Sequence, residues 1–297
     1  MIFLDKEIIM KRMMIMGLIL SAFAPAGFGD ENDGIFSAKT GQFEVFMLVE
    51  SQREGNAGIL VGADEAVLKR YIPAGGFQHT ANAFLIKTPR QNILIDTGTG
   101  SGGIIIEKIK KLGVQPENIN AVLITHLHGD HFGSLQKDGK AVFSNAKVYL
   151  SKKEHEYFTK TNVNQGAAAA LAPYGSQVVT FEPAELGKKL KEIVPGFSPI
   201  AAYGHTPGHT IFLVESGKER LLIVGDLLHV ALVQFPVPEI SATYDMDQKA
   251  AAATRRQVLD YAVKNKITIG GMHIVYPATG SVTADGSGFK FTPANKE

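Results

Sequence analysis

Short apolar runs separated by turn-forming residues predict a chain that mixes β-strands with a few helices. The runs are rich in β-branched and aromatic residues, and Gly, Asn or Pro bounds the first of them, a pattern that is typical of strands. We predict strands at residues 43–48, 83–87, 92–96, 121–125, 147–150, 178–181, 200–203, 211–214, 221–224 and 267–270.

Amphipathic segments between these runs predict helices. Residues 103–112 have one apolar face and end at Gly113, and glycine commonly follows the last residue of a helix. Ser151 and Glu154 have the spacing of a capping box, which predicts a helix that reaches about residue 158. A third helix is predicted at 247–264. The alanine-rich residues 161–176 fit either a lid or a loosely packed helix.

The alternation of strands and helices indicates an α/β fold in which two sheets pack together and helices cover them. Hydrophobic residues make up 45% of the 297-residue chain and charged residues 20%, a composition that excludes a mostly disordered protein. We expect residues 30–297 to form a single domain.

The first 29 residues have the pattern of a secretory signal peptide. Lys11 and Arg12 precede an apolar stretch at 13–23, and Ala24 and Ala26 follow in an A-x-A arrangement. The apolar stretch is too short to span a bilayer, although an anchor or a buried first helix is the alternative. Met10 is a second candidate for the true start. We therefore expect a periplasmic or secreted protein without stable membrane insertion.

The composition limits the kinds of active site and partner that this chain can have. The chain has no cysteine, which excludes disulfides, thiolate zinc sites and thiol nucleophiles. Lys and Arg total 30 against 29 Asp and Glu, so no excess of positive charge favours a nucleic acid partner. A metal site in this chain must use carboxylates and some of the nine histidines.

The strongest motif is THLHGDH at residues 125–131. Side chains two positions apart in an extended segment point the same way, so His126 and His128 can converge on one ion. A turn at Gly129 lets Asp130 and His131 face a second ion nearby. Imidazole and carboxylate ligands suit Zn²⁺, with Fe, Mn or Co as alternatives.

Three further segments place candidate ligands directly after predicted strands. His205 and His209 lie in YGHTPGHT, Asp226 lies in LLIVGDLLH, and His273 lies in GGMHIVYP. The carboxyl ends of strands are where α/β folds usually build sites.

These motifs together resemble the metallo-β-lactamase superfamily, and the layout of the C-terminal half is similar to the methyl parathion hydrolase-like group. The resemblance implies an αββα sandwich of two mixed β-sheets flanked by helices, with two metal ions. It assigns His126, His128 and His205 to the first ion, and Asp130, His131 and His273 to the second. Asp226 would bridge both ions, while Asp96 and His209 would support the ligands from behind.

The same resemblance implies a secreted or periplasmic dizinc hydrolase that cleaves small-molecule esters, lactones or phosphotriesters and is often a homodimer. Two ions that share a water lower its pKa toward about 7, so no Ser or Cys nucleophile is needed. Asp130 would orient that nucleophile or accept its proton. His229 occupies a position where several lactonases of the superfamily have Tyr, and it is either a proton donor to the leaving group or a structural histidine.

Two other functions stay open at this point. One is β-lactam hydrolysis, although the subclasses that use a Cys ligand are excluded. The other is a non-catalytic metal-binding protein on the same scaffold. Aromatic residues near the motifs are candidates for an apolar substrate pocket, namely Phe132, Phe158, Tyr174 and Tyr276, whereas His79 and His155 are predicted to lie on the surface.

Overall fold

The computed structural model describes residues 33–294, so the predicted signal peptide at 1–29 lies outside the described residues. Strands and helices are numbered in chain order. The larger sheet has seven strands in the spatial order β1 (Ile35–Thr40), β2 (Phe43–Asn56), β4 (Gly76–Lys87), β5 (Asn92–Ile95), β6 (Ala121–Leu123), β9 (Lys147–Ser151) and β10 (Val178–Phe181).

The second sheet has six strands in the order β11 (Phe197–Ala201), β12 (Thr210–Ser216), β13 (Glu219–Ile223), β15 (Thr268–Gly270), β16 (Thr279–Asp285) and β17 (Gly288–Pro293). Both sheets are mixed. In the first sheet β5, β6, β9 and β10 run parallel to one another while β5 is antiparallel to β4, and in the second sheet only β13 and β15 pair in parallel. Two short pairs complete the strands: β3 (Leu60–Val61) with β14 (Ser241–Ala242), and β7 (Gln136–Lys137) with β8 (Lys140–Ala141).

Seven α-helices accompany the sheets in residues 33–294: α1 (Glu65–Tyr71), α2 (Ile104–Lys111), α3 (Gly129–Phe132), α4 (Lys152–Glu156), α5 (Gln165–Leu171), α6 (Ala231–Gln234) and α7 (Gln248–Asn265). In that part of the chain, no helix has both the length and the apolar character that crossing a bilayer would require.

The core lies between the two sheets because adjacent residues of a strand point to opposite faces. Phe84 and Ile86 of β4 join Phe212 and Ile223 of the second sheet in one buried cluster. On the outer face of the first sheet, Leu85 belongs to a second cluster, together with apolar residues of α2 and α5. Two apolar faces on one sheet explain why residues 83–86 of β4, AFLI, form a continuous hydrophobic run. The predicted αββα sandwich is confirmed.

Several predicted elements have different bounds in the structure. β2 and β4 extend well beyond 43–48 and 83–87 and form a long antiparallel arm, with Arg53 opposite His79. The arm was not predicted because its distal half is polar, ESQREGN. The helix that Ser151 caps ends at Glu156, and a π-helical turn, Tyr157–Thr161, follows it. Residues 161–176 contain the packed helix α5, whose Ala167 and Leu171 are buried.

Candidate metal centre

The predicted ligands come from loops that follow strands of both sheets. His126 and His128 lie in the loop between β6 and α3, and α3 contains Asp130 and His131. The turn before β12 holds His205, while Asp226 and His273 follow β13 and β15. Parallel strands bring their carboxyl ends to one edge of a sheet. Packing two sheets face to face therefore brings loops distant in sequence to one place.

A first group of candidate ligands consists of His126, His128, His205 and Asp226, whose ligand atoms all lie within 4.8 Å of one another. Nε2 of His205 is 3.1 Å from Nε2 of His126 and 3.0 Å from Nδ1 of His128. It is also 3.3 Å from Oδ2 of Asp226. Three imidazole nitrogens and one carboxylate thus converge on a single point.

A second group consists of Asp130, His131, Asp226 and His273, again with all ligand atoms within 4.8 Å. Nε2 of His131 is 3.2 Å from Oδ1 of Asp226, and Nε2 of His273 is 3.1 Å from Oδ2 of the same carboxylate. Oδ2 of Asp130 is 3.4 Å from Nε2 of His273. Asp226 belongs to both groups, which is the arrangement expected of a carboxylate between two ions.

The tautomers of the ligand histidines show that a cation fits this site. Nδ1 of His273 donates a hydrogen bond to the carbonyl oxygen of Thr80, at 2.6 Å. In a neutral imidazole the other nitrogen then has only a lone pair, and here that lone pair faces the carboxylate of Asp226. Nδ1 of His131 faces the carboxylate of Asp96 at 2.7 Å, and its buried Nε2 lacks a hydrogen-bond partner. Lone pairs and carboxylate oxygens that face each other favour a positive charge between them, which a bound cation supplies and which, without one, a proton on the imidazole supplies.

The pKa shifts of the second group also favour a positive charge at this site. Burial opposes the charged form of His131, but the carboxylates of Asp226, Asp130 and Asp96 outweigh it and raise its pKa well above the usual range. Burial likewise opposes the ionised form of Asp226, yet the neighbouring histidines hold its pKa well below the usual range. The second group therefore favours a cation beside an ionised carboxylate.

The histidines of the first group are held neutral. Burial lowers the pKa of His205 to about 3, although Asp245 and Asp226 partly offset that effect. Burial also lowers the pKa of His126 well below its usual range, and nearby His131 adds to the shift. Neutral imidazole is the form that binds a metal, so these side chains are ready to ligate at neutral pH.

Asp96 lies behind the candidate ligands. Its Oδ1 accepts from the backbone N–H of Thr125, its Oδ2 accepts from the Thr125 hydroxyl, and the same Oδ2 faces Nδ1 of His131. Asp96 is fully buried, and its φ of 56° is a left-handed conformation that few non-glycine residues adopt. This strained turn at the end of β5 aims the carboxylate at the THLHGDH loop.

His209 is outside both ligand groups. Its Nδ1 donates to the carbonyl oxygen of Ala202, and its Nε2 accepts from the backbone N–H of Asp226. A Cβ at Gly225 would lie 2.6 Å from the same Nε2, so only glycine fits beside the ring. The structure thus places His205 among the ligands and His209 behind Asp226.

His229 is buried against the centre. Its Nε2 is 3.2 Å from Oδ2 of Asp226, and its ring stacks on that of His273 with centroids 5.1 Å apart. Its Nδ1 is buried without a hydrogen-bond partner. His229 also falls with His205 and Asp245 in a third group of potential ligands. Its ring therefore lies within reach of the atoms that would react at this centre.

A cavity of about 670 Å³ opens over the centre. Most of the side chains around it are polar, and its wall consists of Ser51, Arg53, His79, Ala81, Thr99, Ser101, His128, Gly129, Asp130, Asn164, Asp226, His229, Tyr244 and His273. The β2–β4 arm supplies four of these residues, which is why the sequence did not indicate them.

None of the four aromatic residues predicted for the substrate pocket lines this cavity, although Tyr276 lines a separate apolar cavity that also touches His273. Tyr174 is buried in the core, where its hydroxyl donates to the carbonyl oxygen of Leu135. Phe132 and Phe158 are buried in the same core cluster, and Tyr276 packs edge-on against Phe36. Aromatic rings near the motif gain more from complete burial than from a place at a polar rim.

His79 was also wrongly predicted to lie on the surface. It is 8% exposed, and its ring centroid is 4.9 Å from that of His273. Burial lowers its pKa to about 4, and His273 and Arg53 add to the shift. His155 is half-buried rather than fully exposed.

Two buried groups behind the ligands were missed by the sequence reasoning. Oδ1 of Asp245 accepts from Nδ1 of His205 at 2.9 Å, and Oδ2 of Asp245 lies 3.3 Å from the guanidinium of Arg255. Glu154 is fully buried and hydrogen-bonds to the ligand loops. Its capping-box spacing was recognised, but no spacing in the sequence connects it to those loops.

Comparison with known proteins identifies the class. Residues 77–269 match the metallo-beta-lactamase superfamily, which is more than half of the chain and contains six of the seven candidate ligands. The chain belongs to this superfamily.

Two solved structures with similar folds cover most of this chain. One is described as the hydrolase AbOPH in the beta lactamase superfamily; it is 29% identical with a TM-score of 0.79, over 89% of this chain and 98% of that one. The other is AidC, described as a dizinc quorum-quenching lactonase, at 25% identity and a TM-score of 0.78, over 88% of this chain and 98% of that one.

Curated relatives match a shorter region. An N-acyl homoserine lactonase of Bacillus cereus is 27% identical over 169 residues, which are 48% of this chain and 60% of the relative. The probable metallo-hydrolase YflN of Bacillus subtilis is 26% identical over 162 residues, 49% of this chain and 60% of the relative. The chain thus spans about three-fifths of these relatives' length. Lactonases and metallo-hydrolases in this set support a metal-dependent hydrolase.

Proposed function

We propose that the protein is a hydrolase that binds two divalent metal ions and cleaves the ester bond of small lactones and esters. Its histidine and carboxylate ligands suit Zn²⁺. The observation that carries this proposal is the sharing of Asp226 between two groups of ligands. Lactonase relatives favour a lactone over the other substrates.

Bound at this centre, two divalent ions would polarise a carbonyl or phosphoryl oxygen and lower the pKa of a water. The protein's own groups would do the rest. The pKa of Asp130 is held below its usual range because His131 outweighs the effect of burial, so this carboxylate is ionised at neutral pH. Its side chain is 33% exposed and borders the cavity, where Oδ1 or Oδ2 can accept a proton.

His229 is proposed as the group that hydrogen-bonds to the leaving oxygen. Its ring borders the cavity and lies beside Asp226, and the ring of Tyr244 is 5.5 Å away. Phosphotriester hydrolysis uses the same two-ion chemistry and is the second candidate substrate class. The polar side chains around the cavity offer hydrogen bonds to either kind of substrate.

A substrate panel tests the proposed function. The Zn²⁺-loaded protein is assayed with an N-acyl homoserine lactone, an aryl ester, a phosphotriester and a cephalosporin, before and after treatment with a chelator. We expect turnover of the lactone, loss of that turnover on chelation, and recovery on adding Zn²⁺. Turnover of the cephalosporin alone would make the protein a β-lactamase, and two bound ions without any turnover would favour the binding protein.

We also propose that the protein is exported. The support is the sequence pattern of residues 1–29, and the experiment is expression of the full-length chain in a bacterial host followed by fractionation. N-terminal sequencing of the exported material is expected to begin near residue 30. Full-length protein retained in the cytoplasmic fraction would contradict export.

A further inference from the structure

Glu154 lies outside both ligand groups, yet it connects the two loops that hold three of the four residues of the first group. It is the third residue of α4 and is 0% exposed. We propose that Glu154 is a positioning residue that sets the affinity of the first ion, the one held by His126, His128 and His205. This inference rests on the proposed two-ion function.

One carboxylate oxygen holds the THLHGDH loop. Oε1 of Glu154 accepts a hydrogen bond from the backbone N–H of Leu127 at 2.8 Å. Leu127 stands between His126 and His128, so this bond holds the backbone between the two imidazole-bearing residues. A carboxylate that accepts from a backbone N–H makes one of the stronger kinds of hydrogen bond.

The other oxygen holds the turn that contains His205. Oε2 of Glu154 accepts from the hydroxyl of Thr206 at 2.8 Å and from the backbone N–H of Gly208 at 2.9 Å. Thr206 directly follows His205 in the chain. Through its two oxygens, a single side chain therefore fixes the spacing between the His126–His128 pair and His205.

Ser151 adds a second contact between α4 and this turn. Its hydroxyl donates to the carbonyl oxygen of Gly208 and accepts from the backbone N–H of Glu154. A Cβ at Gly208 would clash with the backbone of Glu154, so the turn lies directly on the start of the helix. This close approach holds the backbone of Glu154 against the turn.

The second group of ligands has supports that do not involve Glu154. Asp96 faces His131, and the carbonyl oxygen of Thr80 accepts from His273. The loss of Glu154 should therefore affect the two ions unequally, which a merely structural role in folding would not do.

Glu154→Gln is the informative variant because it keeps the shape of the side chain. All three partners are donors, and an ionised carboxylate only accepts. In either orientation of the glutamine amide, its NH₂ group faces the backbone N–H of Leu127 or of Gly208, so one loop loses its bond. Glu156→Gln, on the same helix but half-buried and outside these contacts, is the matched control.

The experiment titrates each metal-free protein with Co²⁺ and follows binding by calorimetry and by the visible absorption of the bound ion. We expect two ions in the wild type and in Glu156→Gln. In Glu154→Gln we expect one ion to bind at least about ten-fold more weakly, which corresponds to 1.4 kcal/mol, while the other keeps its affinity and its spectrum. Thr206→Val, which removes one donor, should weaken the same ion by less.

Three results would decide against the proposal. They are equal affinities for both ions in Glu154→Gln and wild type, equal weakening of both ions, or a lowered unfolding temperature with unchanged affinities. A wild type that binds one ion would overturn the two-ion function separately. Glu154 would then be tested on that single ion, where an affinity unchanged in Glu154→Gln contradicts its role and a weakened one supports it.

Discussion

Each ligand histidine of the second group has one nitrogen directed at the centre and the other held by the fold, and His205 of the first group shares this design. A fixed partner on the far nitrogen sets the tautomer and the ring orientation, and such partners tune metal affinity. Asp245 does this for His205. It is itself held by the backbone N–H of Ala242 and by the guanidinium of Arg255, both on its Oδ2.

Replacing Asp245 tests this arrangement. In Asp245→Asn the amide can present its NH₂ to Nδ1 of His205, which favours the tautomer with the proton on Nε2 and blocks ligation. We expect a 10- to 100-fold loss of metal affinity, measured by competition with a chromophoric chelator. Asp260→Asn, at an exposed site on α7, is the control. An Asp245→Asn protein with unchanged affinity would mean that Asp245 does not orient His205.

Ligands and reacting groups differ in what their removal does. His128→Ala deletes a nitrogen of the first group, and we expect loss of bound metal together with loss of activity. His229→Ala deletes a ring that lies beside Asp226 without belonging to either group that shares this carboxylate. We expect His229→Ala to keep its metal and to change the rate.

Metal content by elemental assay and turnover of the lactone measure both variants. Equal retention of metal in the two would show that the ligand set is misassigned. Metal loss in His229→Ala would instead make that histidine a ligand, as its grouping with His205 and Asp245 would then imply.

For individual residues, the sequence identified candidate ligands where they lie close together in the chain. THLHGDH brings four candidate side chains into six positions, and the structure brings the same four to the centre. Asp245 has no such spacing. It stands 40 positions after its partner His205, in the polar segment TYDMD. In the structure it is buried and contacts Arg255 of α7.

At the scale of elements, polar strands were the main failure of prediction. The strands of the distal half of the β2–β4 arm pair through their backbones. Such pairing produces no alternating hydrophobic pattern when both faces of the arm are partly exposed to solvent. The same arm supplies Ser51, Arg53, His79 and Ala81 to the cavity. Residues that line a water-filled cavity are polar. A strand made of such residues has no hydrophobic pattern, so it is not predicted from the sequence.

Helix α5 also borders the cavity, through its N-cap residue Asn164, and this cap offers a test. The side chain of Asn164 accepts from the backbone N–H of Ala167 at 3.0 Å and also lines the cavity. Removing this cap in Asn164→Ala should cost about 1 kcal/mol of unfolding free energy and alter KM for the lactone.

Asn164→Ser is the matched variant, because serine caps helices about as well as asparagine. We expect it to restore stability while KM still differs from wild type. Chemical unfolding and steady-state kinetics on the three proteins separate the two roles. A full return of KM in Asn164→Ser would mean that Asn164 acts only through the helix.

At the scale of the whole molecule, the candidate centre connects the two halves of the sandwich. The loop after β6 comes from the first sheet, whereas the turn before β12 and the loops after β13 and β15 come from the second. In the described part of the chain this join does not use disulfides, since the sequence has no cysteine. A bound ion would therefore connect these loops of the two sheets, which otherwise lie close only because the core packs the sheets together.

Removing metal should accordingly lower the stability of the entire fold. A ligand that binds only the folded state stabilises it by about 2.7 kcal/mol at a free concentration 100 times its Kd. For a domain of this size each kcal/mol shifts Tm by roughly 2–4 °C. Chelation followed by gel filtration should thus lower Tm by at least about 5 °C, and added Zn²⁺ should restore it, as thermal scans at fixed pH would show. Because the first group of candidate ligands draws on loops of both sheets, an ion bound there would link the sheets, and its loss should appear as a shift of a single transition. A Tm unchanged by complete metal removal would show that the centre contributes chemistry without joining the sheets, and two separated transitions would show that the sheets unfold independently.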